Sequence, residues 1–190
     1  MAVELSRGYA DGPSRRQVVL VALAVGTIWA MGLALPLGWR GPNPPTQLEY
    51  VAFVVFSVML ASLVAIAWVL VSLARPDSAI RALGWILTVG GVVAAVGNLG
   101  EDSLRIAGFE NIYGIGLLAT TVGIVGLPIA LAARREAFLT GLSALTLVAF
   151  VSGAGHGPPI MPLIWFGFAG WVAVRGLPGS ASSSAPARSS

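Results

Sequence analysis

The sequence predicts an all-α integral membrane protein, a bundle of six transmembrane helices with N-terminus and C-terminus cytoplasmic. Three observations carry this expectation. Of 190 residues, 56% are hydrophobic and 10% are charged, against about 25% charged in an average soluble domain. The charges are separated by uncharged runs of the length a bilayer needs, about 20 residues each. The arginines, finally, gather in alternate gaps between those runs, as the positive-inside rule requires.

The first run, 17–39, holds 23 residues between Arg16 and Arg40, and the second, 50–74, holds 25 before Arg75. Ser14-Arg15-Arg16-Gln17-Val18-Val19-Leu20 resembles a twin-arginine export signal. Its apolar run is longer than a signal's, however, and no small-residue cleavage site follows, so it reads as a first membrane helix. A third span covers 82–105: the uncharged part is 19 residues, 82–100, and the helix is expected to carry on to Arg105. The fourth span, 111–133, has 23 residues, and its Pro128 predicts a kink that would open space between helices. The last uncharged stretch, 137–174, has 38 residues, too many for one helix. Gly153-Ala154-Gly155-His156-Gly157-Pro158-Pro159 breaks it into spans 137–153 and 159–175, with a re-entrant hairpin as the alternative. The transmembrane domain therefore covers 17–175. It lies between a cytoplasmic N-terminal segment, 1–16, and a Ser/Ala/Pro-rich disordered cytoplasmic tail, 176–190.

With the N-terminus inside, nine arginines lie on the cytoplasmic side and only Arg40 and Arg105 lie outside. Trp39 marks the outer boundary, while Trp68, Trp85 and Trp171 fall towards the inner one. All eleven basic residues are Arg in an Ala/Val/Gly/Leu-rich chain, which reads as GC-rich codon usage and a bacterial plasma membrane. The arginines form no stripe with interleaved aromatics, so no nucleic-acid partner is expected. The absence of cysteine removes disulfides, Cys-zinc sites and thiol chemistry.

No Asp, Glu, Lys or Arg falls in the middle of a span, which argues against a proton-coupled pump, a voltage sensor or a Schiff-base lysine. The mid-span polar groups are hydroxyls: Thr27, Ser57, Ser62, Thr88, Thr120, Thr121, Ser143 and Thr146. They are expected to bond their own helix or a neighbour. Small residues (Gly90, Gly91, Ala94, Ala95 and Gly97; Gly114, Gly116, Gly123 and Gly126) predict close packing of the third and fourth helices.

Chemistry-bearing residues gather at the outer boundary. If the third helix continues to Arg105, then Asn98, Glu101, Asp102 and Arg105 share one face at spacing i, i+3, i+4, i+7. Glu101 would stand about 28 Å above Ala82. One reading is a helix end emerging into headgroups, with a Glu101–Arg105 ion pair. The other is a pair of adjacent acids facing a cavity, one of them held protonated as a catalytic acid. In that second reading Asp102 and Glu101 are the catalytic candidates. Asn98, Arg105, Glu110, Tyr113, His156, Trp29 and Trp165 are the ligand-binding candidates, the two tryptophans as stabilisers of a cation. His156 is the lone histidine, and no His-x-x-x-His or Glu-x-x-His spacing exists, so neither metal nor cofactor is expected.

Three functions fit these features. The first is a non-catalytic lipid-binding or accessory component, with membrane lipid or a membrane protein partner at a polar outer face. The second is an enzyme acting on a lipidic or isoprenoid ligand by carboxylic acid catalysis. The third is a small transporter or channel, which the missing midplane charge and missing internal repeat disfavour.

Overall fold

The computed structural model describes residues 12–35, 46–154 and 160–178, and every regular element among them is helical. Six helices result. They are α1 (Arg15–Leu33), α2 (Gln47–Leu73), α3 (Ser78–Ser103), α4 (Phe109–Ala133), α5 (Ala137–Ala154) and α6 (Ile160–Arg175). Of these, α2, α3 and α4 are long and apolar enough to cross a membrane, and the apolar α5 and α6 are shorter.

Local signals set the helix starts. Ser14 and Gln17 form a reciprocal capping box ahead of α1, and Thr46 and Glu49 form another ahead of α2. Asp77 caps α3 by accepting the N–H groups of Ala79 and Ile80 at 2.9 and 3.2 Å. This cap moves the start of α3 four residues ahead of the expected 82, because an uncharged-run count stops at Arg81 while the helix runs through it. Between α4 and α5 the chain turns in a Schellman motif. Glu136 N–H bonds Leu131 O, Arg135 N–H bonds Ala132 O, and Arg135 takes a left-handed φ of 58°.

Each helix packs on the next in the chain, and α6 returns to pack on α1. The buried centre is drawn from all six helices and includes Val18, Leu63, Leu87, Leu127, Leu139 and Trp165. Large apolar residues such as Leu20, Ile115, Leu118, Ile129 and Leu163 face outwards, the surface expected of a protein solvated by lipid.

The closest contact is the antiparallel α3–α4 seam. A Cβ on Gly116 would fall 2.2 Å from Ala94 N, one on Gly123 2.7 Å from Leu87 Cα, one on Gly90 2.5 Å from Thr120 N, and one on Gly97 2.3 Å from Tyr113 N. The glycines alternate between the two helices and bring backbone against backbone, which is how helices associate when lipid supplies no hydrophobic drive. The packing role expected of these small residues is what the structure shows at Gly90, Gly97, Gly116 and Gly123, whereas Gly114 faces open space. Helix α4 runs unbroken through the buried Pro128.

Hydroxyls and amides link the remaining helices. Helix α2 has an irregular turn at Ser62, whose hydroxyl donates to Met59 O at 2.6 Å and accepts from Trp29 Nε1 of α1 at 3.0 Å. Gly91 of α3 backs the same turn, leaving no room for a Cβ beside Leu60 O. Thr27, Thr121 and Thr146 donate to the carbonyl four residues back, as expected for hydroxyls within spans.

Candidate functional site

The acids sit at the end of α3, where the backbone departs from the expected geometry. Residues Leu99–Ser103 form a single π-helical turn, and the helix stops at Ser103. Leu104 N–H bonds Leu99 O, Ile106 N–H bonds Gly100 O, and Arg105 adopts a left-handed φ of 53°. The expectation that α3 continues to Arg105 is therefore corrected. The wider turn and the left-handed residue break the i, i+3, i+4, i+7 register, so the four polar residues do not line one regular helix face. Gly100 explains the local path, since a Cβ there would overlap the Phe109 ring that begins α4.

The expected cluster divides accordingly. Glu101 and Asp102 are half-buried on the π-turn, close enough to Tyr113 for their charges to act on it. Tyr113 is half-buried against the core with its backbone on Gly97. Arg105 is exposed. Glu110 is exposed and accepts the Gly108 N–H at 2.9 Å, capping the start of α4, while Gly108 holds a φ of 91°. Asn98 is only 2% exposed and turns inward. Its Nδ2 donates to Ser57 Oγ at 3.0 Å and to Phe53 O at 3.4 Å, both on α2. Ser57 Oγ in turn donates to Phe53 O at 3.1 Å. An amide at this depth needs partners, and α2 supplies them.

The two tryptophans lie in the core. Trp29 is bonded to Ser62 and meets Phe150 edge-on at 6.2 Å. Trp165 is fully buried and meets Phe168 edge-on at 5.7 Å, and its Nε1 has no hydrogen-bond partner among the described residues. His156 lies outside the described residues. Among the described residues no three His, Cys, Asp or Glu side chains converge as a metal site.

The opposite end gathers the arginines, as the positive-inside reading expects, and adds ion pairs that sequence reasoning missed. Of the eight described arginines, seven (Arg15, Arg16, Arg75, Arg81, Arg134, Arg135 and Arg175) lie at this end, with Arg105 at the other. Two ion pairs clasp its loops: Asp77 with Arg134, and Arg75 with Glu136 at 3.3 Å. The Ile80 backbone N–H leads the effects that hold the Asp77 carboxyl below its ordinary range. The Ala79 N–H and the Arg134 guanidinium add to it, against an opposing push from burial. Asp77 was detectable as an N-cap from its place before Ser78, but its pairing with Arg134 joins loops far apart in the chain. Trp68, Trp85 and Trp171 lie towards this end, with Trp85 68% exposed and Trp171 stacked on Phe138 at 4.4 Å.

Two open grooves also lie here. One, about 280 Å³, is lined by Leu73, Ala74, Arg75, Glu136 and Pro178. The other, about 350 Å³, runs between α1 and α6 and is lined by Arg15, Arg16, Val19, Leu20 and Ala173. Neither is lined by the acids of the α3–α4 turn or by Pro128. Comparison with protein-family models, curated proteins and solved structures finds no match for this chain.

Proposed function

We propose that the protein is a six-span component of a bacterial plasma membrane with the arginine end in the cytoplasm. It acts without catalysis, as a lipid-binding or accessory subunit whose outer contact face is the α3–α4 turn. The observation that carries this reading is the use made of polar groups inside the bundle. Asn98 and Trp29, two of the deepest candidates for ligand chemistry, are bonded to α2 and hold helices together. Among the described residues no charged residue lies in the middle of a helix. A transporter would line a path with such groups, and an enzyme would aim them into a cavity. Here Glu101 and Asp102 remain at the rim with Tyr113, a place suited to contact with a headgroup or a partner subunit.

The test is purification in mild detergent with mass spectrometry of what stays bound, comparing wild type with the Glu101→Gln/Asp102→Asn variant. A defined lipid or membrane protein held by wild type and released by the variant, with no substrate-dependent flux in liposomes, is the expected result. Flux across liposomes, or turnover of a lipidic substrate lost in the variant, would replace this reading with a transporter or an enzyme.

A further inference from the structure

The first turn of α1 carries Arg15 and Arg16, both exposed, and contains no acid. A helix N-terminus is itself a partial positive charge, so two guanidinium groups there are unfavourable unless an anion joins them. The neighbouring helix starts at this end are treated differently, Asp77 capping α3 and Glu136 preceding α5. Among the described residues, ion pairs engage Arg75 and Arg134 but neither Arg15 nor Arg16.

Below these arginines lies the groove of about 350 Å³ between α1 and α6. The two helices touch closely where Gly26 meets the Phe166 ring, leaving no room for a Cβ. About two turns towards the arginine end Val18 and Val172 are still fully buried, and beside them Val19, Leu20 and Ala173 line a shallow apolar groove open to the surroundings. Cationic groups at the mouth of an apolar cleft, at the level where Trp171 marks the interface, match a phospholipid: phosphate at the headgroup depth, acyl chain along the helices.

We propose that the α1–α6 groove is a binding site for an anionic phospholipid of the leaflet facing the arginine end, with Arg15 and Arg16 holding its phosphate and Val19, Leu20 and Ala173 seating an acyl chain. This rests on the membrane placement proposed above, and not on the acids of the opposite end.

The test is native mass spectrometry of the full chain in mild detergent, titrated with phosphatidylglycerol or phosphatidylcholine. Wild type should retain phosphatidylglycerol preferentially, and inorganic phosphate should not displace it. Arg15→Gln/Arg16→Gln should weaken retention about fivefold for each guanidinium removed, while Arg81→Gln, outside the groove, should leave it unchanged. Ala173→Trp keeps every charge but fills the cleft, and should also lose the lipid. Equal retention of both lipids by wild type would overturn the site, as would equal losses in Arg81→Gln and the double variant, or displacement by inorganic phosphate. A chain that stays out of vesicles would overturn the membrane placement as well. One that enters them without lipid preference overturns this proposal alone.

Discussion

At the arginine end of the bundle, charges tie one loop to another; at the acid end, polar groups are divided among different tasks. Asp77–Arg134 and Arg75–Glu136 bridge the α2–α3 and α4–α5 connections, and both acids also lie at helix starts. At the other end Asn98 holds α3 to α2 and Glu110 caps α4, while Glu101 and Asp102 lie on a π-turn. Four polar residues close in sequence thus do not line one regular helix face. Depth separates them, since an amide below the rim is drawn into packing whereas a carboxylate at the rim keeps contact with the interface.

The helix seam differs between the ends in the same sense, and this gives the largest expected effect. Near the acids, Gly97 lies against the Tyr113 backbone, whereas near the arginines Gly126 lies against the Leu83 side-chain tip, 2.5 Å from where a Cβ would stand. Gly97→Ala should therefore cost about 1–3 kcal/mol, because two backbones must separate. Gly126→Ala should change stability by less than about 1 kcal/mol, the moving Leu83 tip being offset by better helix propensity. Unfolding in a denaturing-detergent titration measures both, and equal losses would erase the distinction.

Asn98→Ala comes next. It removes both donors to α2 while Ser57 keeps its bond to Phe53 O, so about 1–2 kcal/mol should be lost. The same titration reads this, and unchanged stability together with loss of a bound ligand would return Asn98 to the ligand-binding role. Asp77→Asn should destabilise less, through loss of the Arg134 pair and of the negative charge at the start of α3, since asparagine still accepts the cap's hydrogen bonds. Because folding lowers the Asp77 pKa, its contribution is complete above the ordinary carboxylate range and fades as pH falls through the folded value. Wild type and Asp77→Asn should therefore differ in melting temperature at neutral pH and converge in acid. A gap that persists in acid would contradict the charge-based account.

The smallest effects sit where both ends use an arginine in left-handed backbone. Arg105→Gly and Arg135→Gly should each raise stability by up to about 1 kcal/mol, since glycine carries no Cβ penalty there. A loss in either would mean that the side chain itself holds its turn.

Much of the architecture was legible because lipid imposes simple demands. The run lengths place α5 and α6 within a residue of 137–153 and 159–175, and the small residues foretold the α3–α4 seam. The start of α3 was misplaced because charge marks a membrane boundary and not a helix boundary, whereas its Asp77 cap marks the latter. The π-turn was not legible, since it follows from how Gly100 and Phe109 meet, a tertiary contact. Trp29 read as a mid-span aromatic suited to a cation, and the bond from its indole N–H to Ser62, 33 residues away, was not legible because it joins two helices. The candidate site was legible as a place, the α3–α4 turn, and not as an arrangement.

The orientation of the two ends underlies both proposals, and the lack of cysteine in the chain makes it directly measurable. Single substitutions Glu110→Cys and Asp102→Cys at the acid end, and Arg81→Cys and Arg135→Cys at the arginine end, would be exposed to a membrane-impermeant maleimide in intact cells. The account predicts that the first pair is labelled in intact cells and the second only after permeabilisation. The reverse pattern, or labelling of both pairs from one side, would contradict it.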